Sequence, residues 1–502
     1  MNYTKKVAVA ALTVLVLSLI GSVVGYALRI FIARSMSVED FGLFYSVLAF
    51  FSFLWVIKDF GISSALVKYI PEFMIKRKFK DVSYSIKTSF ILQFLLGLCI
   101  ALPVFILSDY ISVVFFHNTK ASFLIKIFSI EIALGIVFLK MLLQGFQKIL
   151  AFSVIEVLRV VVIFIFILVF GTTTIENIAI SYFLASLLIQ AMMILYVSRI
   201  LSGLKNSEPP SDDTMKRLTV YGSFIFIGSV SAFIIGYADT VVLTYFRSIY
   251  EVGLYQVSVS TSQLLLVFSS SLTVILFPLI SEVWSVGKRD EIPKYIGFMM
   301  KSIFFFMILV SLVFITFPEI VIYTLFGDNY LGSSLPLQIL SFGMIFSSIN
   351  VVLSVILNAI GQPKKTTTSI IIVSLYNLSA NLLVVPIFGI IGAAISTASS
   401  YLIGFIILYK YLGKHLNIII PIRQILIILS GSVISITIIY FMKHIIVLNA
   451  LSEAVICISV SLAFYFSFFL RFKVFNKSDM NILRRSGVFP DKILSMIRRY
   501  FE

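Results

Sequence analysis

Apolar runs about twenty residues long follow one another along nearly the whole 502-residue chain. An α-helix needs roughly that length to cross about 30 Å of hydrocarbon. Fourteen such runs can be marked off, at 7–31, 41–58, 87–108, 122–145, 150–170, 176–197, 218–245, 253–280, 296–317, 335–360, 367–388, 390–410, 421–441 and 446–470. They are continuously apolar and lack the alternation of a membrane barrel. With 60% hydrophobic residues, 12% charged residues and a mean hydropathy of +1.08, too little polar surface remains for a water-soluble globule. The expected fold class is therefore an all-α integral membrane protein with about fourteen transmembrane helices. The first run follows Lys5 and Lys6 but is too long for a secretion signal and has no small-residue cleavage site, so it reads as a span. Cys99 and Cys457 lie in separate runs without metal-ligand spacing and read as buried packing residues.

Part of the chain repeats. Gly25-Tyr26-Ala27 recurs as Gly236-Tyr237-Ala238 and Gly42-Leu43-Phe44 as Gly253-Leu254-Tyr255, both 211 residues on, and Tyr84 and Tyr295 keep the same offset. Internal duplication of a multi-helix unit is how many transporters are built. An even number of helices per copy leaves both copies pointing the same way, which predicts two parallel-repeat six-helix lobes with the function between them. The boundaries read as a first lobe at 1–197, a cytoplasmic linker at 198–217, a second lobe at 218–412, two additional helices at 413–470 and a basic amphipathic tail at 471–502. The linker is marked by a Pro-Pro break among mixed charges, and the tail by eight basic residues and the spacing of Ile493, Ile497 and Phe501.

Orientation follows from the 39 basic residues. With the N-terminus inside, 31 fall in cytoplasmic segments and helix ends, among them the seven from Lys58 to Lys87. Outside are Arg34, Lys120, Arg247 and Lys443, and four fall within spans. This asymmetry places both termini in the cytoplasm of a multi-pass cell-membrane protein.

Charges within spans cost at least about 2.5 kcal/mol each at the bilayer centre unless they face a cavity or a partner. They are Arg29, Lys126, Lys140 and Arg159, with Glu131, Glu156 and Asp239. Glu156 and Arg159, three apart on one helical face, read equally as a local ion pair or as substrate contacts. Lys126 reads as snorkelling to the interface, and Lys140 is open between snorkelling and substrate. Arg29 either clamps an anion or reaches the interface. Asp239 pairs locally or binds a coupling proton or sodium ion. The amides Asn350, Asn358, Asn377 and Asn381 are expected along the opposite, less charged wall. Gly21 and Gly25 fit homodimerisation or, more often in a bundle this large, internal helix contact, and Gly389, Gly392, Ala393 and Ala394 suit close approach of backbones. There is no P-loop, no metal spacing and no nucleophile–base pair in the sequence, so the reading is a non-enzyme with no cofactor.

The runs ARSMSVEDFGLF (33–44), DFGISSALVKYIPEF (59–73), LFGDNY (325–330), LNAIGQPKK (357–365) and FGIIGAAISTASSYLIGF (388–405) resemble polysaccharide flippases of the Wzx type. These belong to the multidrug/oligosaccharidyl-lipid/polysaccharide exporter superfamily. The resemblance implies translocation of a polyprenyl-diphosphate-linked oligosaccharide to the outer leaflet by alternating access. Arg29, Lys140, Arg159 and Glu156 are then the candidate substrate-binding residues, and Asp239 and Glu131 the candidate ion-coupling residues. Expected partners are the lipid-linked oligosaccharide, membrane lipids, and glycosyltransferases or a polysaccharide polymerase, with no nucleic acid. A cation-coupled multidrug or metabolite exporter of the MATE type and a lipid II flippase are the alternatives. A non-transporting scaffold fits the buried charge poorly.

Overall fold

A computed structural model of the protein describes residues 3–172, 174–202, 213–416, 421–445, 450–475 and 479. Half of the linker read at 198–217 and most of the tail read at 471–502 lie outside these residues.

The described chain is helical throughout. In order the helices are α1 (Tyr3–Ser35), α2 (Val38–Asp59), α3 (Ile62–Ile75), α4 (Phe79–Ile106), α5 (Ser108–Val114), α6 (Ala121–Leu134), α7 (Phe138–Gly145), α8 (Ile149–Phe170) and α9 (Ile175–Ser202). There follow α10 (Thr214–Phe246), α11 (Ile249–Gln263), α12 (Leu266–Ser285), α13 (Ile292–Thr316), α14 (Pro318–Phe326), α15 (Ser334–Ala359), α16 (Pro363–Gly413), α17 (Ile422–Ile445) and α18 (Ala450–Arg471). Thirteen segments among the described residues are long and apolar enough to span a membrane, which makes the chain a multi-pass membrane protein. One of them, α16, has 51 residues, and as a straight helix it would reach about 77 Å, far more than a bilayer. It turns at Gly389, whose φ of 55° and ψ of −133° are open to glycine but strained for other residues. The turn falls where the sequence divides the span at 388–390, so α16 supplies two of the expected fourteen.

The helix ends have local causes. The Ser37 hydroxyl accepts the Asp40 amide at 3.1 Å, and Glu39 and Asp40 complement the dipole in the first turn of α2. Four turns share one closure, in which a residue of positive φ (Arg77, Gln147, Gly287, Gly361) is followed by an amide reaching five residues back. These bonds are Lys78 to Phe73, Lys148 to Leu143, Lys288 to Val283 and Gln362 to Leu357, at 2.7–3.1 Å.

The chain divides into two compact units. The first holds residues 1–256 and 377–390, the second 257–376 and 391–502. Within the first, α1 packs on α8, α4 on α6, α2 on α10 and α3 on α7. Here the repeat becomes a physical contact. A Cβ on Gly42 of α2 would run into the backbone of Ile249 and Gly253 of α11, and one on Gly253 would run into Val38. Val38 and Ile249 are themselves 211 apart, so the contact is reciprocal between equivalent positions, and the absence of side chains brings the two backbones together. Gly21 faces Val157 of α8 at 3.5 Å, an internal contact as expected, while Gly25 meets nothing within 4 Å.

In the second unit α15 packs on α12 and α13, and α13 on α17, which pairs with α18. Leu312, Phe317, Ile439, Ala454 and Cys457 form a buried cluster there. Cys99, read as a packing residue, is exposed, because its side of α4 points away from the helices it packs on. Gly389, read as a packing glycine, instead makes the kink. A Cβ there would strike Glu251, and the adjacent Arg247 guanidinium donates to the Pro386 carbonyl at 3.4 Å and ion-pairs with Glu251 at 3.1 Å.

Candidate functional site

The six residues singled out from the sequence all lie in the first unit. Arg29, in the last third of α1, lies over the Tyr45 ring of α2 with its guanidinium carbon 3.9 Å from the centroid. One Nη2–H donates to the Gln256 Oε1 of α11 at 2.6 Å. Gln256 in turn donates to the Thr240 hydroxyl at 2.7 Å. Asp239 beside it accepts the Thr240 amide at 2.7 Å and the Tyr255 hydroxyl at 2.6 Å, and is buried.

This arrangement follows the internal duplication. Thr240 lies 211 residues after Arg29, and Gln256 lies 211 after Tyr45. One copy therefore pairs arginine with tyrosine, the other pairs threonine with glutamine, and the Arg29–Gln256 bond joins them. The sequence reading missed Tyr45, Thr240 and Gln256, although the offset found from Gly25 and Gly236 marks all three. Asp239 and Tyr255 occupy the positions of Leu28 and Phe44, so that polar pair belongs to the second copy alone.

The Arg29 Nε is buried without a hydrogen-bond partner, and Arg29 has no carboxylate partner among the described residues. The guanidinium is thus braced by an aromatic face and held at one nitrogen, while its buried Nε is left without a hydrogen bond in this state.

A second cluster surrounds Arg159 on α8. Lys140 of α7 forms an ion pair with Glu156 of α8 and lies 4.8 Å from the Phe152 ring. Glu156 thus takes Lys140 as its partner and not Arg159. Arg159 is exposed from the protein and forms no ion pair among the described residues. It lies within Coulombic reach of Lys140, Glu131 and Tyr182, and Arg29 also acts on Tyr182. Glu131 of α6 takes a hydrogen bond from Ser186. Tyr182 of α9 packs against Phe44 with centroids 5.0 Å apart, so the Arg29 and Arg159 clusters meet at one aromatic group. Lys126, read as snorkelling, instead pairs with Asp109 at 3.1 Å.

Lys58 was read as a cytoplasmic cation. It is fully buried at the end of α2, because the helix containing it ends against a broken span. Residues 135–137 interrupt α6 and α7 and leave backbone groups without helical partners. The Lys58 ammonium donates to the carbonyls of Ile132 and Gly135. Gln190 of α9 accepts the Ile136 amide at 2.9 Å, and Gln93 of α4 accepts the Val137 amide at 3.1 Å. Each such group left unpaired in a buried setting costs about 1–3 kcal/mol, so three side chains from three helices stabilise a break that the apolar run 122–145 does not announce.

The asparagines read as the opposite wall bond within helices and between them. Asn350 donates to the Tyr401 carbonyl at 2.8 Å, Asn358 accepts from Thr366 at 3.0 Å, and Asn381 donates to Asn377 at 3.0 Å. In the second unit the buried Lys301 of α13 forms an ion pair with Asp479 at 2.5 Å, and Phe475 packs on Phe305 with centroids 5.7 Å apart. The start of the tail is therefore docked on protein through these two residues.

The model of the family described as "Polysaccharide biosynthesis protein" matches residues 8–284, more than half of the chain. An uncharacterised membrane protein of Methanocaldococcus jannaschii is 32% identical over 443 residues, covering 83% of this chain and 86% of that protein. A probable low-salt glycan biosynthesis flippase, Agl15, of Haloferax volcanii is 26% identical over 44% of this chain and 46% of its own length. Among solved structures, the lipid II flippase MurJ in an inward closed conformation superposes with a TM-score of 0.75 at 20% identity, covering 91% of this chain and 98% of that one. An inward-facing multidrug resistance MATE family transporter gives 0.62 at 15% identity, over 81% of this chain and 98% of its own. At such identities the structures establish a shared transporter fold and nothing finer. The fold, the family match over residues 8–284 and the long relative together place the chain in the polysaccharide biosynthesis protein family.

Proposed function

We propose that the protein is a flippase that moves a polyprenyl-diphosphate-linked oligosaccharide from the cytoplasmic to the outer leaflet by alternating access, for surface polysaccharide synthesis. The observation that carries this reading is Arg29, a guanidinium within a span whose buried Nε has no hydrogen-bond partner and which has no carboxylate partner among the described residues. Arg29, Lys140 and Arg159 form the anion-binding wall, and Glu156 holds Lys140 when substrate is absent. The diphosphate meets the cations, Tyr45 and Tyr182 offer faces for sugar, and the lipid tail stays in the bilayer. Asp239 and Glu131 are the acidic groups for a coupling ion. The family description and the relative named as a glycan biosynthesis flippase support the same substrate class.

Energetics agree with export. Moving about two negative charges out of a negative interior is favourable by roughly 4.6 kcal/mol at 100 mV, at ~2.3 kcal/mol per charge. A cation-coupled exporter is the second reading, favoured by the buried Asp239 and its polar network.

The test is transport by the wild-type protein in proteoliposomes. Fluorescent diphosphate-linked oligosaccharide lipid should cross, and faster with the receiving side positive, while a cationic dye should not. Dye efflux without lipid movement would replace the flippase reading with the exporter one.

A further inference from the structure

We propose that Lys58 is a positioning residue: by capping the break between α6 and α7 it fixes the direction of α7 and so sets Lys140 against Glu156. Its functional arm rests on the flippase reading; its structural arm does not.

A fully buried ammonium inside a helical unit calls for a counter-charge, and Lys58 has no carboxylate partner among the described residues. Its neighbours are the carbonyls of Ile132 and Gly135, which close α6, and the Trp55 ring 5.2 Å away. Carbonyls at a helix C-terminus carry partial negative charge, so this is the end of α6 at which a cation belongs. Space for the ammonium comes from Gly97 of α4, where a Cβ would come within 2.7 Å of Nζ. The adjacent Asp59 does not pair with Lys58. It accepts from Gln93 Nε2 at 3.0 Å and so orients the carboxamide whose Oε1 takes the Val137 amide at 3.1 Å. Lys58 and Asp59 thus serve the two sides of the break, the cation on the carbonyls of α6 and the carboxylate, through Gln93, on the first amides leading into α7.

Two candidate substrate and coupling groups hang from this junction. Lys140 is the third residue of α7, so any rotation of α7 at the break swings it away from Glu156. Glu131 is linked from the other direction: Ser186 bonds to Glu131, Gln190 donates to Ser186 at 3.1 Å, and Gln190 Oε1 holds the Ile136 amide at 2.9 Å. Lys58 is fully buried and so does not itself meet substrate in this state. It acts through backbone.

The experiment compares wild type, Lys58→Met and Lys58→Arg, with Gln93→Leu as an independent lesion of the same junction. Amide hydrogen exchange in detergent is the first readout. Lys58→Met and Gln93→Leu should each speed exchange over residues 132–145 at least about tenfold while leaving 150–168 unchanged, and Lys58→Arg should restore most of the protection. Transport of the fluorescent diphosphate-linked lipid is the second. Lys58→Met should raise KM about tenfold with maximal rate within about threefold, because the anion wall is misaligned before substrate arrives. Exchange that rises throughout the protein, or does not change at 132–145, overturns the proposal. Local loosening with an unchanged KM overturns the positioning role as well. If the wild type moves no such lipid, the flippase reading falls, and the exchange pattern alone decides whether Lys58 holds the break.

Discussion

Among the described residues of the second compact unit the buried charges are Lys301 and Asp479, and they neutralise one another. In the first unit Lys58 is buried against carbonyls, Asp239 against a hydroxyl and an amide, and Arg29 keeps an unpaired nitrogen. Both units have hydrophobic interiors, so the apolar helices alone do not distinguish them. The difference lies in unneutralised charge. A neutral pair holds a packed element in place, whereas a cation left open inside a membrane span costs free energy that folding does not return. On the proposed reading the transport chemistry belongs to the first unit, and the docked start of the tail is architecture.

The largest effect expected from breaking this contrast is on stability. Lys301→Met or Asp479→Asn should each break the buried ion pair and cost about 3–5 kcal/mol, whereas Lys301→Met with Asp479→Leu should recover most of it. Thermal unfolding in detergent measures this, and transport per folded molecule should stay near wild type. Removal of the chain after residue 475 should behave like the Asp479 variants, which makes the docked tail more than a membrane-surface anchor.

A smaller effect sharpens the other side. Arg29→Lys keeps the charge and loses the planar fork, so lipid transport should fall about tenfold with folding unchanged. Equal rates for Arg29→Lys and wild type would show that charge without geometry is enough.

Much of the fold was legible from the chain. Length and continuity of apolar runs give the spans because each helix must satisfy its own backbone in lipid. Even the division of α16 was legible, from the length of the apolar run, although Gly389 itself reads as a packing residue and not as the kink. The break between α6 and α7 was not, since side chains from α2, α4 and α9 sustain it, and those are distant in sequence. For the same reason Lys58 looked like one more cytoplasmic cation. The intramembrane charges were visible as outliers, but Glu156 could be given to Arg159 by helical spacing, while tertiary packing gives it to Lys140. The bracing of Arg29 by Tyr45 and Gln256 was encoded in the 211-residue offset all along.

The smallest effect concerns Glu72, shared by Lys76 at 2.8 Å and Arg217 at 2.9 Å. Hydrogen bonds from both cations pull its carboxyl down to about 2. A lowered folded-state value means that Glu72 stabilises the fold above its unfolded value near 4.3 and that this is lost as pH falls toward 2. Partial exposure and solvent screening keep the effect modest. Glu72→Gln should lower the melting temperature slightly at pH 7 to 8, and that difference from wild type should shrink as pH falls from about 4.3 toward 2.

The claim that the intramembrane cations of the first unit meet the substrate is tested most directly by one side-by-side transport measurement. Wild type, Glu156→Gln and the triple variant Arg29→Ala/Lys140→Ala/Arg159→Ala would be reconstituted at equal density with fluorescent diphosphate-linked oligosaccharide lipid. The wild type should move the lipid, Glu156→Gln should stay within about threefold because only a competing anion is lost, and the folded triple variant should be at least about a hundredfold slower. Lipid transport by the triple variant at the wild-type rate would contradict the account.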